Sequence, residues 1–569
     1  MSGIIFLDVP YDQRMQAKYL GAKYDGKRKT WYIPSDGKNA ERLSSMYGTQ
    51  DFTFQRWLED DFNRTPKPIR PGGAVFKPKP HQEEAGRRIL KAWQSGSQGF
   101  LISDGTGLGK TLSTLYGAEL IAQAMRLRRK LKLLIVCPKA VIPSWRQTLR
   151  SYPPAANIRA LIINYQSMSK LIRPPAAARK AKTVRTRNRR IARSGTPKIS
   201  FDVIIFDEEQ YLKNYGASAM SMAAGTIAGL DTAYRKQSSP FVISSTATPG
   251  TNPMELAIMA PWLSTLIDPK DRRYTPPKNW GRFLKDHGFS IRGKASSLAW
   301  RGSDKDMKRD VAAIGRALAT PGAPYIMRTS SDIAGWPEQQ VIPVPMDIGS
   351  QGMVQYMMAW DEFRQAWHLA RKRRDKQSPL VAALRFRQKS SIIKAPSIAD
   401  FAVESVHEGK QVFIGCEFVE TMDIIERTLD KARIPYSEYS GRLQAGREKA
   451  RMDFQTGKTK VVLCTSVEGV SFHAGESLQT GGHATPADRV TIIADVRSRV
   501  LDTQQQMGRC HRDGKNSICY LPYAEDTIDR KTIETFARRI RNMDLMTGNS
   551  TGSDYLDSMI GELEASSGK

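Results

Sequence analysis

Short runs of consecutive apolar residues recur along most of the chain, separated by polar or helix-like segments. Continuous apolar runs of this length are typical of strands buried on both faces of a parallel sheet. The runs that predict strands are 100–102, 133–136, 161–163, 203–206, 241–244, 411–414, 461–464 and 490–493. After residue 111, apolar side chains return at helical spacing. Strands that alternate with helices in this way predict an α/β fold.

The two ends of the chain depart from this pattern. Residues 4–9 and 30–33 are short strand-like runs around a basic, glycine-containing segment, and Trp31 and Tyr32 lie in the second run. These aromatic side chains either stack on bases or form the core of a small domain, and both interpretations stay open here. Residues 62–80, rich in proline and basic residues, predict a linker. From residue 544 onward, a Ser/Gly/Asp-rich composition predicts a disordered tail with at most one short helix at 555–565.

Charge narrows the classes of partner. The 569 residues leave room for two or three domains, and 87 Lys and Arg against 57 Asp and Glu give a net charge of +30. Such an excess indicates a polyanionic partner, most commonly nucleic acid. Residues 169–200 contain eleven Lys and Arg and no acidic residue, which predicts either a solvated insertion or a loop that grips DNA.

The sequence disfavours disulfide-rich, zinc-binding, secreted and membrane-spanning proteins. Five cysteines without a CxxC pair and seven scattered histidines suggest neither a disulfide framework nor a zinc cluster. The N-terminus lacks the pattern of a signal peptide, and no stretch is long and apolar enough to span a membrane. These features predict an intracellular protein without a membrane partner.

A glycine-rich stretch joins the first predicted strand to the following helix. Its glycines let backbone N–H groups close around a triphosphate, and the helix N-terminus adds favourable dipole charge. Lys110 is expected to reach the β and γ phosphates of ATP, and the Thr111 hydroxyl to hold Mg²⁺. The residues of this predicted phosphate loop are Asp104, Gly105, Thr106, Gly107, Leu108, Gly109, Lys110 and Thr111.

Two further sites in the first half fit ATP chemistry. The apolar run 203–206 leads directly into Asp207 and Glu208. Asp207 is expected to hold Mg²⁺ through water, and Glu208 to polarise the attacking water. Gln82 precedes the phosphate loop, and its amide can hydrogen-bond the adenine edge with both of its groups.

The second half contributes a predicted arginine pair. Arg509 and Arg512 follow Gln505 and lie three residues apart, so on a helix they face the same way. Opposite a bound triphosphate, they would neutralise the charge that develops on the γ phosphate, which is the arginine-finger role.

Taken in order, these motifs resemble those of the superfamily-two helicases, in particular the SWI/SNF-like branch of DNA translocases. The phosphate loop is similar to that branch's D-E-M-G-L-G-K-T, which accounts for Asp104. Residues 138–145 are similar to its P-x-x-x-x-x-x-W, 207–214 to D-E-A-H-x-x-K-N, and 246–252 to T-G-T-P-x-x-N. Across residues 76–540, the resemblance also adds Gly469 and Gln505 to the nucleotide-binding residues.

Three positions depart from that family pattern. Gln210 replaces the histidine of D-E-A-H, and its amide is still expected to bridge the ATP site to Thr246. Residues 497–499 replace an aromatic W-N-P, and 474–486 look like an inserted loop. The last two places would face nucleic acid in the family, so the substrate preference stays open. Residues 20–34, in turn, resemble a small accessory domain found beside primases and helicases of mobile elements.

The resemblance implies two RecA-like parallel-sheet lobes that close over ATP and Mg²⁺, preceded by a small α+β domain. The expected divisions are 1–50 for the small domain, 51–75 for a linker, 76–340 for lobe 1 with a helical part at 262–320, 341–394 for an interlobe helical segment, 395–545 for lobe 2 and 546–569 for the tail.

The activity that the resemblance implies is ATP-dependent translocation on double-stranded or forked DNA, in phage or mobile-element replication or recombination. The alternatives are a strand-separating helicase on DNA or RNA, and a nucleotide-switched scaffold or defence sensor with slow turnover.

Overall fold

The protein is described from a computed structural model. The described residues are 4–7, 9, 13–26, 30–47, 77–105, 107–127, 129–152, 157–179, 183, 186, 190–192, 194–213, 215–216, 218–231, 239–247, 249–270, 274–293, 298–329, 332–336, 339–372, 378–443, 446–465, 470–476, 483–497, 500–511, 517–527 and 529–547. The predicted linker and most of the predicted tail lie outside them. Within these ranges, no helix is long and apolar enough to cross a bilayer.

The chain divides into two compact units at residue 66, and the first is a small α+β unit. Its elements are β1 (Ile4–Leu7), α1 (Arg14–Tyr19), β2 (Lys23–Asp25), β3 (Thr30–Pro34) and α2 (Ala40–Tyr47). The strands form an antiparallel sheet in the order β1-β3-β2. Leu7 and Ile33 of the sheet form a core with Ala17 of α1 and Leu43 of α2. Strand β2 was not predicted, because it is three residues long and mostly polar.

The second unit begins with a six-stranded parallel sheet in the order β13-β4-β10-β9-β5-β6. We call this sheet and its helices lobe 1. Its elements are α3 (Pro80–Gln94), β4 (Gly99–Ile102), α4 (Lys110–Ala124), β5 (Leu131–Cys137), α5 (Ile142–Ser151), β6 (Ile158–Asn164), β7 (Ile172–Arg173), α6 (Ala176–Arg179), β8 (Thr196–Pro197), β9 (Val203–Asp207), α7 (Ala219–Ile227), β10 (Phe241–Ser245), α8 (Ala260–Ile267), α9 (Trp280–Asp286), β11 (Ile291–Arg292), β12 (Ala299–Trp300), α10 (Asp304–Leu318) and β13 (Tyr325–Ile326).

A second six-stranded parallel sheet follows, in the order β14-β19-β18-β15-β17-β16, and we call it and its helices lobe 2. One face packs on α12 and α13, and the other on α16. The elements are β14 (Gln339–Met346), α11 (Gly349–Lys372), α12 (Ser378–His407), β15 (Gln411–Gly415), α13 (Val419–Lys431), β16 (Tyr436–Tyr439), α14 (Arg447–Gln455), β17 (Val461–Cys464), β18 (Arg489–Ile493), α15 (Val500–Met507), β19 (Ser517–Ala524) and α16 (Asp529–Thr547).

Two helix-flanked parallel sheets confirm the predicted pair of RecA-like lobes with a small α+β unit. The strands predicted from apolar runs are all present, because each of those runs is buried on both faces of its sheet. Lobe 2 begins earlier in the chain than residue 395, since β14 pairs along its whole length with β19. The segment expected to be an interlobe helical connection therefore starts with a strand of the second sheet.

The basic insertion contributes to lobe 1 where it is described. Strands β7 and β8 pair within it, and its Ala192 is buried. The Thr226 hydroxyl of α7 donates to the Ala192 carbonyl oxygen at 2.6 Å. This part of the insertion thus packs on lobe 1, and a role in gripping DNA remains a prediction.

Lobes 1 and 2 contact each other away from the sheets. Helix α10 of lobe 1 packs against α16, the last helix of lobe 2. The N-terminus of α10 is held by a capping box, in which Ser303 and Asp306 satisfy each other's backbone N–H groups.

Helices α3 and α4 approach each other closely, and this approach positions the phosphate loop. A Cβ atom at Gly117 of α4 would lie 2.8 Å from both Cγ2 and Cδ1 of Ile89 in α3. Ile89 is fully buried. Glycine at this position therefore sets the spacing of the two helices.

We expect Gly117→Ala to destabilise lobe 1. The gain in helix propensity is about 1 kcal/mol, whereas overpacking costs about 1–3 kcal/mol. Thermal unfolding should show a lowered midpoint for Gly117→Ala, and Ile89→Val should be less damaging in the Gly117→Ala background than in wild type. A raised midpoint for the single variant would show that the helices separate without cost.

Candidate active site

The predicted phosphate loop forms a tight turn between β4 and α4. Gly107 and Gly109 have φ angles of 88° and 80°, in the left-handed region that favours glycine. Lys110 is the first residue of α4, and its Nζ donates to the carbonyl oxygens of Asp104 at 2.8 Å and Gly105 at 3.1 Å. The lysine thus lies over the loop that it was predicted to serve. Thr106 lies outside the described residues.

Gln82 is buried against this loop. Its Nε2 donates to the carbonyl oxygens of Leu108 at 3.3 Å and Gly109 at 3.4 Å, and its Oε1 accepts from the Lys79 N–H at 2.9 Å. A Cβ atom at position 109 would lie 2.1 Å from Gln82 Nε2, so the contact itself requires Gly109. In this structure the Gln82 amide holds the loop, and recognition of adenine by the same amide stays a prediction.

Asp104 forms a buried ion pair with an arginine. Its side chain is fully buried, and its two carboxylate oxygens accept from Arg328 Nε at 3.1 Å and Nη2 at 2.5 Å. Arg328 also donates to the His81 carbonyl oxygen at 2.5 Å and to Glu84 at 3.2 Å. Asp104 therefore anchors the loop to the chain that leaves lobe 1. No contact between Arg328 and the phosphate loop was predicted.

Asp207 ends strand β9 and faces the same loop. Its Oδ2 accepts from the indole Nε1 of Trp145 at 2.7 Å, and its Oδ1 from the Ser245 hydroxyl at 3.2 Å. Burial and the neighbouring Glu208 raise the pKa of Asp207 to about 6, whereas the Trp145 hydrogen bond and the Lys110 charge oppose that rise. Trp145 was matched to a family motif without a role, and the structure assigns it contact with this carboxylate.

Glu208 lies at the junction of the two lobes. Its φ of 58° places a non-glycine residue in the left-handed region. Its Oε2 accepts from Gln210 Nε2 at 2.7 Å and from Gln505 Nε2 of α15 at 2.9 Å. The Thr246 hydroxyl donates to Gln210 Oε1 at 2.6 Å, which confirms the predicted glutamine bridge. A hydrogen-bonded series thus connects Thr246, Gln210, Glu208 and, across the lobes, Gln505.

The predicted arginine pair is described only in part. Arg509 follows α15 and is buried, and its Nη1 donates to the Val470 carbonyl oxygen of lobe 2 at 3.0 Å. Arg512 and Gly469 lie outside the described residues, so their roles stay predictions. The contact of lobe 2 with Glu208 is made by Gln505. Arg509 lies four residues after Gln505 in the chain.

These residues fit Mg²⁺ and ATP. Two adjacent carboxylates, one of them buried with a raised pKa, gain from a nearby cation that relieves their repulsion. Mg²⁺ in proteins is commonly held by one or two carboxylates together with phosphate oxygens, so Asp207 and the Thr111 hydroxyl suffice as protein partners. No group of three His, Cys, Asp or Glu side chains that could hold a metal ion occurs in the described part of the chain.

A second buried carboxyl group was not predicted. Glu209 is buried between Glu208 and Gln210, and neither of its oxygens has a hydrogen-bond partner among the described residues. Burial, together with the nearby Glu255, raises its pKa to about 8, and Lys213 acts in the opposite direction. The sequence signal was the third letter of D-E-E-Q, where the family pattern has alanine.

We expect Glu209→Gln to stabilise the protein, and more so at higher pH. Between about 4.5 and about 8 the folded chain keeps a proton on Glu209 that the unfolded chain releases, so wild-type stability falls as pH rises through this window. The stability difference between variant and wild type should grow from pH 5 to pH 8, up to a few kcal/mol (order of magnitude). Urea unfolding at both pH values measures it.

The exposed Glu362→Gln is the matched control for that comparison and should show no such growth. An equal difference at pH 5 and pH 8 for Glu209→Gln would contradict the assignment of a protonated Glu209.

We expect Trp145→Phe to weaken the use of Mg²⁺. The variant keeps most of the packing but removes the hydrogen bond that favours ionised Asp207, so protons should compete better with the metal. The Mg²⁺ concentration for half-maximal ATPase activity should rise several-fold at pH 6 and less at pH 8. Trp280→Phe, which removes a buried indole bonded to the Pro253 carbonyl oxygen, is the control. Equal Mg²⁺ dependence in both variants would contradict the role of Trp145.

Comparisons with known proteins match three segments. The family described as SNF2-related domain matches residues 81–237, and the helicase conserved C-terminal domain matches residues 394–514. The domain of unknown function DUF5710 matches residues 5–45. No curated protein matches the chain. The first two segments contain, respectively, the phosphate loop with Asp207 and Glu208, and Gln505 with Arg509.

Two solved structures from Sulfolobus solfataricus are similar to the chain. The SWI2/SNF2 ATPase core in complex with dsDNA is 16% identical, with 88% of this chain and 98% of that chain covered and a TM-score of 0.31. The SWI2/SNF2 ATPase core domain is 15% identical, with 83% and 90% covered and a TM-score of 0.29.

Proposed function

Because the chain belongs to the SNF2-like branch of the superfamily-two helicases, we propose that it is an ATP-dependent translocase on double-stranded DNA. Its substrates are duplex, forked or branched DNA, or proteins bound to such DNA, in the replication or recombination of a phage or another mobile element. The resemblance of residues 20–34 to an accessory domain of mobile-element primases and helicases supports that setting.

The chemistry is hydrolysis of ATP, with Mg²⁺ bound to neutralise phosphate charge. Lys110 binds the β and γ phosphates, and Asp207 and Thr111 hold the metal. Glu208 orients and polarises the attacking water. Arg509 and Arg512 approach from lobe 2 to stabilise charge on the γ phosphate.

One observation carries this proposal, the hydrogen bond between Gln505 of lobe 2 and Glu208 of lobe 1. A lobe 2 side chain directly contacts the carboxylate assigned to hydrolysis, so the position of lobe 2 affects the position of Glu208. Within lobe 1, Thr246 is connected to the same Glu208 carboxylate through Gln210. The hydrogen bonds therefore link Glu208 both to Gln505 of lobe 2 and to Thr246 of lobe 1. Turnover linked to lobe movement is what a motor requires.

The net charge of the chain supports nucleic acid as the polymer on which the protein moves. The net charge of +30 suits phosphate contacts, which position a protein on a duplex without reading its sequence. Duplex DNA is therefore the first substrate to test.

ATPase activity with different polymers distinguishes the proposal from its alternatives. The rate should rise strongly with duplex or forked DNA at fixed salt, because phosphate-driven binding varies steeply with salt. Stimulation mainly by single strands or RNA would favour the strand-separating helicase. A flat response would favour the nucleotide switch and overturn the motor.

We expect Lys110→Ala and Glu208→Gln to reduce DNA-stimulated ATPase activity by about a hundredfold or more, because each removes a group assigned to the transition state. Duplex binding, measured by fluorescence anisotropy, should remain close to that of wild type. Normal turnover in either variant would refute its catalytic assignment.

We expect Arg509→Ala to retain binding of a fluorescent ATP analogue while hydrolysis falls by about a thousandfold. Since Arg509 is buried and bonded to lobe 2 backbone, circular dichroism should first establish that the variant folds. A folded variant with normal hydrolysis would refute the finger role.

We expect Gln505→Glu to lower DNA-stimulated kcat about tenfold or more, because it replaces a donor to Glu208 with a repelling carboxylate. Gln505→Ala should lower kcat about three- to tenfold, with the KM for ATP nearly unchanged in both variants. A change in KM alone would place Gln505 in nucleotide binding rather than in coupling between the lobes.

A further inference from the structure

The chain that leaves lobe 1 folds back onto the start of α3 before it enters lobe 2. The imidazole of His81 and the indole of Trp336 lie nearly perpendicular, with ring centroids 5.6 Å apart and an interplanar angle of 87°. The Nζ atom of Lys79 lies 4.9 Å from the centroid of the Trp336 ring. Edge-to-face ring pairs and cations over indole rings are both attractive. Trp336 is therefore held against the two residues that flank Pro80, the first residue of α3.

His81 also contacts the phosphate loop. Its Nε2 lies 3.0 Å from the Leu108 carbonyl oxygen. Because a carbonyl oxygen only accepts hydrogen bonds, Nε2 carries a proton and donates it to this bond. The same carbonyl oxygen accepts from Gln82 Nε2 at 3.3 Å. Two side chains from the first turn of α3 thus orient the peptide bond between Leu108 and Gly109.

The orientation of this peptide bond bears on phosphate binding. In a trans peptide the carbonyl and the N–H group point in opposite directions, so the Gly109 N–H points away from His81. Backbone N–H groups of a glycine-rich loop at a helix N-terminus are the groups that bind phosphate. Gly109 directly precedes Lys110, the first residue of α4. Holding the Leu108 carbonyl therefore fixes the direction of one N–H donor that faces the predicted phosphate site.

The position of Trp336 is tied to lobe 2 through the chain itself. Arg328, eight residues before Trp336, is anchored to lobe 1 by its ion pair with Asp104. Gln339, where β14 of lobe 2 begins, lies only three residues after Trp336, and the two residues between them lie outside the described part of the chain. A displacement of β14 is thus passed to Trp336 over a short stretch of chain, while Arg328 keeps its place.

We propose that Trp336 is a positioning residue, which acts through His81 to hold the phosphate loop in its nucleotide-binding shape and is drawn away when lobe 2 turns. The loop then loosens, and the ADP product leaves. This inference rests on the proposed function, because it takes the loop to bind ATP and lobe 2 to move during turnover. It adds a route from lobe 2 to the phosphate loop, separate from the contact of Gln505 with Glu208.

Release of N-methylanthraniloyl-ADP from the full chain, measured by stopped-flow fluorescence without DNA, tests the contact. Trp336→Ala should speed release about three- to tenfold because it removes the ring pair, whereas Trp336→Phe, which keeps a ring, should stay within about twofold of wild type. Trp367→Ala, which truncates an exposed tryptophan of α11, is the matched control and should release like wild type. Wild-type release in Trp336→Ala would overturn the proposal. Failure of the wild-type chain to bind the analogue would instead refute the proposed function.

A double-mutant cycle tests whether His81 is the intermediary. His81→Gln keeps an N–H donor for the Leu108 carbonyl oxygen but removes the ring that faces Trp336. His81→Gln alone should speed release to the same extent as Trp336→Ala, and the double variant should be less than about twofold faster than either single variant. Effects that multiply would show that Trp336 acts independently of His81 and would overturn the proposal.

Hydrogen exchange of the nucleotide-free chain covers the case in which a variant binds the analogue too weakly to measure. Peptides that contain residues 104–111 should exchange severalfold faster in Trp336→Ala than in wild type, because the loop opens more often. Peptides from β6 should exchange equally in both chains, which shows that the variant is folded. Equal exchange of the loop in the two chains would overturn the proposal.

Duplex DNA tests the link to lobe 2. It should speed release from wild type and add less than about twofold in Trp336→Ala, where the contact is already absent. An equal acceleration in both chains would overturn the proposal. No acceleration in either chain would refute the motor and with it the link to lobe 2, whereas the measurements without DNA decide the action of Trp336 on the loop.

Discussion

The arrangement of the predicted phosphate loop depends on a buried ion pair, Arg328 with Asp104. Burying two charges is costly unless their hydrogen-bonding groups are satisfied, and here the carboxylate takes two donors while the guanidinium also reaches the His81 carbonyl oxygen and Glu84. The pair joins the phosphate loop, the start of α3 and the chain leaving lobe 1. The placement of Gln82 and Lys110 over the loop follows from it, because both side chains bond to loop carbonyl oxygens.

The carboxylates at the end of β9 illustrate how a family pattern can be altered without losing its connections. Gln210 keeps the bridge between Thr246 and Glu208, and its amide, unlike the imidazole of histidine, does not titrate. The adjacent position acquires a buried Glu209 in exchange for a small apolar residue. The family pattern has its ionisable histidine at position 210, where Gln210 forms hydrogen bonds in this chain. Here the ionisable side chain is Glu209, one residue earlier, and its carboxyl oxygens have no hydrogen-bond partner within the described residues.

Sequence patterns predicted the fold class and most central strands, because strands buried on both faces are continuously apolar. They missed β14 and β19, whose runs are interrupted by prolines and polar residues, although each strand pairs with the other over eight residues. Motif order predicted Lys110, Asp207 and Glu208, and the structure brings them to one edge of the sheet. The contacts of Arg328 and Gln505 were beyond prediction, because they join positions far apart in sequence and depend on packing. The roles of Thr106, Gly469 and Arg512 remain predictions.

Within the described residues, the packing of α10 on α16 and the Gln505–Glu208 hydrogen bond join the two lobes, and the chain crosses between them after Arg328. Rotation of lobe 2 about the line through the chain crossing and the α10–α16 contact is the movement that would disturb these two attachments least. The Gln505–Glu208 hydrogen bond would break when lobe 2 turns away from Glu208. If lobe 2 turns about this line during turnover, the direction of the movement is set by where these two attachments lie in the protein.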